Sequence, residues 1–306
     1  MVSPPECSAL DRATRARHVA RLVLYFDIFR HPLRVDELSR LVSLTESELD
    51  TAIVDAVRDH GIHHDGRWVS RAGRLADRER RAERAARAER LWPAARRSAA
   101  WLARLPYVEG VLLTGSMSKG SAGDDGDIDF LLVVAPGRVW TVKAALHAAR
   151  RGMPTRLRET MCTNYVLADD HLAIPETTMF TAVELATAVP MSGPAACGAL
   201  LDQNPWAAEF VPGLPWSRSR AALAARKPPS TLTAAIERAV PRGVESAARG
   251  AMQRFWGWRY GWLPAQDRKK RFKQDDGAAT NHLHDHSTWV ARELDARCAA
   301  HGVTRP

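Results

Sequence analysis

The sequence has few cysteines and no long apolar run. Four cysteines (Cys7, Cys162, Cys197 and Cys298) are scattered over 306 residues, with no Cys-x-x-Cys pair and no zinc-type spacing. No stretch of about 18 apolar residues occurs, so no transmembrane helix is expected. The N-terminus also lacks the apolar segment of a secretory signal. These absences exclude a disulfide scaffold and predict a reduced, cytoplasmic protein without a membrane partner.

The composition is that of a folded globular protein, and it is basic. Hydrophobic residues make up 45% of the chain and charged residues 26%, which excludes a disordered or fibrous protein. The net charge is +9. A basic balance favours polyanionic partners such as nucleotides, nucleic acid or phosphorylated metabolites. The chain is rich in arginine, and an arginine-rich proteome alone would give the same balance.

Residues 1–71 are predicted to form a small helical module. Apolar residues recur at helical spacing over residues 19–26. A capping box of Thr45 and Glu48 then marks the start of another helix. Asp65-Gly66 lies between two short strand-like runs and indicates a two-residue hairpin turn. Three helices followed by a hairpin resemble a winged helix.

The charges of the third predicted helix argue against DNA binding. A helix that enters a DNA groove must meet phosphates with cations. Beside a single arginine, this helix carries five acidic residues: Glu46, Glu48, Asp50, Asp55 and Asp59. DNA is therefore an improbable partner, and the module is expected to dock against another surface or to cover a substrate.

Residues 72–104 are predicted to form a linker helix. Arginine and glutamate alternate at spacings that permit pairing along a helix, and Pro93 interrupts the pattern. The simpler interpretation is a solvated linker. The alternative is an arginine-rich wall beside a phosphate site, since Arg80, Arg84 and Arg87 share one helical face.

Two buried strands and the residues between them carry the chemistry. The run at 108–113 feeds Gly115-Ser116, and the next strand begins with Asp127-Ile128-Asp129. Alternation along a strand places Asp127 and Asp129 on one face, with Cα atoms about 6.6 Å apart. Two neighbouring carboxylates suit Mg²⁺, which completes its shell with water and substrate phosphates. Glycine lets the backbone approach a phosphate closely.

This arrangement resembles the DNA polymerase β-like nucleotidyltransferase superfamily. Gly115-Ser116, a gap of ten residues and an Asp-hydrophobic-Asp strand match its signature, most closely in small bacterial members related to the antibiotic nucleotidyltransferases. Thr114 directly before the glycine is a mild departure. The resemblance implies an α+β fold for residues 105–190: a nucleotidyltransferase-type mixed sheet with flanking helices. The winged-helix-like domain would precede it, and a C-terminal, mostly helical region (191–306) would follow.

The resemblance also implies an activity. A nucleoside monophosphate would pass from an NTP such as ATP to an acceptor hydroxyl or phosphate, with release of pyrophosphate. Gly115 and Ser116 would hold the triphosphate, while Asp127 and Asp129 would bind Mg²⁺ or Mn²⁺. Lys119 is close enough in sequence to reach a phosphate. A small-molecule acceptor is expected in preference to protein or RNA.

The third carboxylate of the family has no clear counterpart. The next predicted strand, 160–167, offers Asn164 on the face of Cys162 and Val166. An amide can ligate a metal but cannot take a proton as a carboxylate can. Three alternatives follow: an acidic acceptor that needs no base; a non-catalytic nucleotide-binding or DNA-binding regulator; or a base from another residue, namely Glu159, Asp169, Asp170 or Glu184.

Residues 231–266 and 287–301 are predicted to be helices of one C-terminal bundle. The basic run at 268–273 is a candidate phosphate or nucleic-acid patch, although a charge run in a polar loop is usually solvated. His282, His284 and His286 have metal-ligand spacing only if they lie on a strand.

Overall fold

The computed structural model describes residues 11–74, 76–124, 126–152, 161–213, 230–266, 272, 275, 277–280 and 286–304. Within them the chain is a mixed α+β protein with a mixed β-sheet and flanking helices, as the sequence predicts at this level. Glu159, His282, His284 and all but one residue of the 268–273 run lie outside the described residues. In the part of the chain with assigned positions, no helix is long and apolar enough to cross a membrane.

The N-terminal module has three helices and a small antiparallel sheet of strand order β1-β3-β2. The capping box at Thr45 is confirmed, because its side chain accepts from the Glu48 amide and Glu48 reciprocates. The predicted hairpin is confirmed, but its two-residue turn is Gly66-Arg67, one residue later than predicted, because Asp65 pairs with Trp68. The elements are α1 (Arg12–Ile28), β1 (Leu33–Arg34), α2 (Val35–Leu41), α3 (Glu46–Asp59), β2 (Ile62–His64) and β3 (Trp68–Arg71).

A long helix, α4 (Asp77–Leu102), follows with Pro93 inside it. It is not a solvated linker. Its alanine-rich face is buried against one side of the central sheet, where Ala95, Ala99 and Leu102 join the core of Val111 and Phe130.

The central sheet has five strands in the order β7-β4-β5-β6-β8. Only the β5–β6 pair is parallel; the β4–β5, β4–β7 and β6–β8 pairs are antiparallel. The strands are β4 (Val108–Thr114), β5 (Ile128–Val134), β6 (Met161–Ala168), β7 (Val189–Ser192) and β8 (Ala278–Thr280).

Helices cover both faces of this sheet. The remaining helices are α5 (Gly115–Ser118), α6 (Val139–Ala149), a 3-10 turn (Arg150–Gly152), α7 (Met179–Thr187), α8 (Pro194–Asp202), α9 (Ala207–Phe210), α10 (Thr231–Ala239), α11 (Gly243–Arg259) and α12 (His286–Ala300). Helices α4, α6 and α11 form one core with the first face. Helices α7, α8 and α12 and the N-terminal module form a second core with the other face.

Two strands depart from the sequence-based interpretation. The sequence of residues 176–190 predicts a helix, but the observed helix ends at Thr187, and the next residues form edge strand β7, where Pro190 pairs with Leu112. An edge position tolerates a proline because no neighbour needs its missing N–H. Strand β8 comes from the C-terminal region and pairs with β6. The boundary predicted at residue 190 therefore falls within one continuous sheet.

The C-terminal helices do not form one bundle. Helix α11 packs on α6, whereas α12 packs on α1 of the N-terminal module. The tryptophans at the end of α11 differ in exposure. Trp256 is buried against Trp140 of α6, while Trp258 is exposed.

Candidate active site

A glycine turn joins β4 to the loop that leads to the two aspartates. Thr114 ends β4 opposite Asp129, the second residue of β5. Gly115 follows with φ of +67°, a backbone conformation that side chains with a Cβ rarely adopt. A Cβ at this position would also overlap the carboxylate of Asp129. The turn and the carboxylate therefore fit together only because residue 115 is glycine.

Glu184 on α7 anchors this turn. Its Oε2 accepts a hydrogen bond from the Gly115 amide at 3.0 Å, and its Oε1 accepts one from Lys119 Nζ at 2.8 Å. Lys119 Nζ also donates to the Gly115 carbonyl at 2.9 Å. The lysine side chain is only 12% exposed. The ammonium group predicted to bind phosphate is thus engaged within the turn, while Ser116 is exposed beside it.

Asp127 and Asp129 lie at the start of β5 but in different surroundings. The strand begins at Ile128, so Asp127 precedes it and is exposed, whereas Asp129 is partly buried. Burial raises the pKa of Asp129 to about 7, and the negative charges of Glu184 and Asp127 add to the shift. The carboxylates are therefore close enough to repel one another, and a cation would relieve that repulsion.

Asn164 contacts Asp129 through a β-bulge in β6. Thr163 pairs with Phe130 and Tyr165 pairs with Leu131, so Asn164 is the extra residue between them. Its Nδ2 donates to Asp129 Oδ1 at 2.7 Å. This hydrogen bond favours the ionised carboxylate and opposes the rise in the pKa of Asp129.

The bulge corrects the predicted strand face. Asn164 does lie on the side of Cys162, which pairs with Asp129. Its predicted alignment with Val166 is wrong, because one extra residue shifts the alternation and sends Val166 into the opposite core with Leu132. Burial and the two aspartates raise the pKa of the Cys162 thiol to about 11, so it stays protonated near neutrality.

Arginines of α4 hold the loop between the glycine turn and the aspartates. Arg81 is buried; its Nη1 donates to the Gly120 carbonyl at 2.7 Å, and its Nη2 contacts Glu37 of α2 at 2.9 Å. Arg87 Nη1 donates to the Ala122 carbonyl at 3.1 Å and pairs with Asp124. The arginine-rich face is therefore beside the candidate site, but it binds main-chain carbonyls. The sequence-based interpretation had named Arg80 and missed Arg81.

No known protein-family profile matches this chain, and no curated protein or solved structure is significantly similar to it.

The donor set fits a cation that is completed by substrate. Within the described residues, no group of three or more His, Cys, Asp or Glu side chains could hold a metal ion alone. Asp127 and Asp129 supply carboxylate oxygens, and Mg²⁺ typically binds through one or two carboxylates together with phosphates and water. The raised pKa of Asp129 and its close contact with the Gly115 turn are consistent with that use of the pair.

The other predicted bases fall into three groups. Asp169 and Asp170 follow the far end of β6, beyond the Val134–Ala168 pair, so they lie about 17 Å along the sheet from Asp129. Glu184 is beside the turn, but each of its oxygens already accepts a hydrogen bond. Glu159 is outside the described residues. The anchoring role of Glu184 left no signal in sequence, because α7 is 65 residues or more from the loop it holds.

Helix α3 presents few unpaired cations. Asp55 is buried and pairs with Arg12 and Arg58, and Arg58 also contacts Asp59. Arg15 pairs with Glu48. The exposed positions of the helix include Glu46 and Asp50 as well as the apolar Val54, which is 59% exposed. This surface has the wrong charge to contact a phosphate backbone.

Proposed function

We propose that the protein is a Mg²⁺-dependent nucleotidyltransferase of the DNA polymerase β-like superfamily. It would transfer a nucleoside monophosphate from an NTP to an acceptor hydroxyl or phosphate. The observation that carries the proposal is the close fit of Gly115 at the end of β4 against Asp129 at the start of β5. This fit joins the two halves of the resemblance, the glycine turn and the paired carboxylates, in one place.

Each part of the site has a role in this proposal. The exposed hydroxyl of Ser116 binds the triphosphate, and the Gly115 turn, whose amide donates to Glu184, holds that hydroxyl at the end of β4. Asp127 and Asp129 hold Mg²⁺, which would neutralise charge on the phosphates when bound. Lys119 and Glu184 stabilise the Gly115 turn. Lys119 therefore has a structural role in place of direct phosphate binding.

The reaction is a displacement at the α-phosphorus. An acceptor oxygen forms a bond to that phosphorus, the bond to the bridging oxygen breaks, and pyrophosphate leaves with the bonding electrons. An ionised phosphate acceptor needs no base. With a hydroxyl acceptor the proton passes to bulk water, because Asp129 would hold Mg²⁺, Asn164 cannot accept a proton, and both oxygens of Glu184 are engaged.

A second candidate function is nucleotide binding without turnover. The observation that favours it is Asn164 at the place of the family's third carboxylate, since an amide cannot accept the acceptor's proton. Such a protein would be a nucleotide-responsive regulator. Its winged-helix-like module would dock through the acidic surface of α3 and would not bind DNA.

The decisive experiment separates binding from transfer. The full chain is incubated with each labelled NTP, Mg²⁺ and a metabolite extract, and products are analysed by mass spectrometry. A nucleotidylated product, lost in Asp127→Ala and Asp129→Ala, is expected. Asp124→Ala is the matched control, because this exposed acid on the same loop pairs with Arg87. If the protein binds nucleotide but forms no product, the regulator is supported. If it shows no binding and no product, both functions are refuted.

A further inference from the structure

Lys143 of α6 is an unusual buried charge behind the candidate site. Its residue is 6% exposed, and its Nζ lies 5.9 Å from the ring centre of Trp256. Burial lowers the pKa of Lys143 to about 7. Removing an ammonium group from water is costly, so a lysine in an apolar core calls for a compensating interaction.

The compensating interaction is with the bulged strand. Lys143 Nζ donates to the carbonyl oxygen of Thr163 at 2.8 Å. Thr163 directly precedes Asn164, the extra residue of the bulge. A bulge interrupts the regular ladder of strand hydrogen bonds, and a buried carbonyl needs a partner from elsewhere. A charged donor forms a stronger bond than a neutral one.

We propose that Lys143 is a positioning residue: its hold on the Thr163 carbonyl fixes the bulge that turns Asn164 toward Asp129. The two contacts act from opposite sides of the sheet. The neighbours of Lys143 on α6, Val142 and Leu146, pack into the core of Phe130, whereas Asn164 reaches Asp129 on the other side. Only the expected effect of Lys143 on ATP binding rests on the proposed nucleotidyl transfer.

Lys143→Met tests the proposal because positioning and stability should move independently. Methionine matches the length of the apolar stem but cannot donate to Thr163. Removing the buried ammonium offsets the unpaired carbonyl, so the melting temperature is expected to stay the same or rise. Mg²⁺-dependent ATP affinity, measured by titration calorimetry, is expected to fall about tenfold. Leu146→Ala on the same helix is the control: it opens a cavity, lowers stability and should leave ATP affinity unchanged.

A second readout does not depend on any ligand. The chain has three asparagines, Asn164, Asn204 and Asn281, so selective ¹⁵N-asparagine labelling gives few side-chain amide signals. Lys143→Met should shift the Asn164 signal while leaving Asn204, which donates to the Leu172 and Leu200 carbonyls, in place. Asn164→Asp assigns the signal by removing it.

The outcomes separate the two proposals. If the wild-type protein binds no nucleotide, the proposed function fails, and the Asn164 signal alone decides the role of Lys143. A folded Lys143→Met protein with an unchanged Asn164 signal overturns the inference. If that variant does not fold, Lys143→Leu, which also lacks a donor, takes its place: a shifted Asn164 signal supports the inference, and an unchanged one overturns it.

Discussion

Replacing Gly115 with alanine tests the geometry on which the site depends. Two costs are expected. The first is the left-handed backbone at φ of +67°, which costs a residue with a Cβ about 1–2 kcal/mol. The second is the overlap of the new Cβ with the Asp129 carboxylate, which must move away from its hydrogen bond with Asn164. Forcing an added methyl group into a filled space typically costs about 1–3 kcal/mol.

Gly137→Ala isolates the first cost from the second. Gly137 also has a positive φ, +66°, but a Cβ there would have no neighbour within 4 Å among the described residues. Urea unfolding should therefore show a loss of about 1–2 kcal/mol for Gly137→Ala and about 2–5 kcal/mol for Gly115→Ala. Only the second variant should lose Mg²⁺-dependent ATP binding, measured by calorimetry.

A double variant then locates the clash. In Gly115→Ala/Asp129→Ala the obstructing carboxylate is gone, so the two substitutions should be non-additive by about 1 kcal/mol or more. Equal losses for Gly115→Ala and Gly137→Ala, with ATP binding intact in both, would refute the argument. The turn would then not be fitted to Asp129, and the site would lie elsewhere.

Three further predictions concern charge. The pKa of Asp129 is raised from 3.8 to about 7, so ionisation of its carboxyl group opposes folding. The ligand-free protein should therefore lose stability as pH rises from about 4 to about 7. In urea unfolding, Asp129→Asn should recover up to about 4 kcal/mol at pH 8 but little at pH 4. Equal recovery at both pH values would contradict this. Mg²⁺ and ATP would offset the repulsion that the ionised Asp129 carboxylate experiences. The rise in melting temperature on adding both should therefore be larger at pH 8 than at pH 5.5. A rise that does not depend on pH would count against cation binding by Asp127 and Asp129. Arg81→Gln should speed amide hydrogen exchange at residues 115–124 and weaken ATP binding, whereas Arg90→Gln, at an exposed position of the same helix, should do neither. Unchanged exchange in Arg81→Gln would show that the loop does not depend on Arg81.

The sequence was most informative where local rules decide the structure. The capping box at Thr45, the hairpin of residues 62–71 and the strands on either side of Gly115 follow from neighbouring residues, and each is confirmed, although the hairpin turn lies one residue later than predicted. The close approach of Gly115 and Asp129 follows from an antiparallel pair whose register sets Thr114 opposite Asp129.

The parts that sequence missed depend on distant contacts. Nothing near Asn164 indicates an extra residue in β6, because a bulge is defined by the partner strand. Glu184 and Arg81 reach the loop from helices far away in the chain. Strand β8 is three small residues without alternation, and it is a strand only because β6 offers it an edge.

Strand β8 and the shared second core also affect how the protein can be dissected. A fragment of residues 105–190 would lack the strand that covers the outer edge of β6. It would also expose the side chains that now contact the N-terminal module, such as Leu112 and Val183. Uncovered strand edges and apolar faces promote aggregation. Gene fusions, truncations and crystallisation trials should therefore keep the whole polypeptide, and any natural shorter version must have found another way to seal that edge.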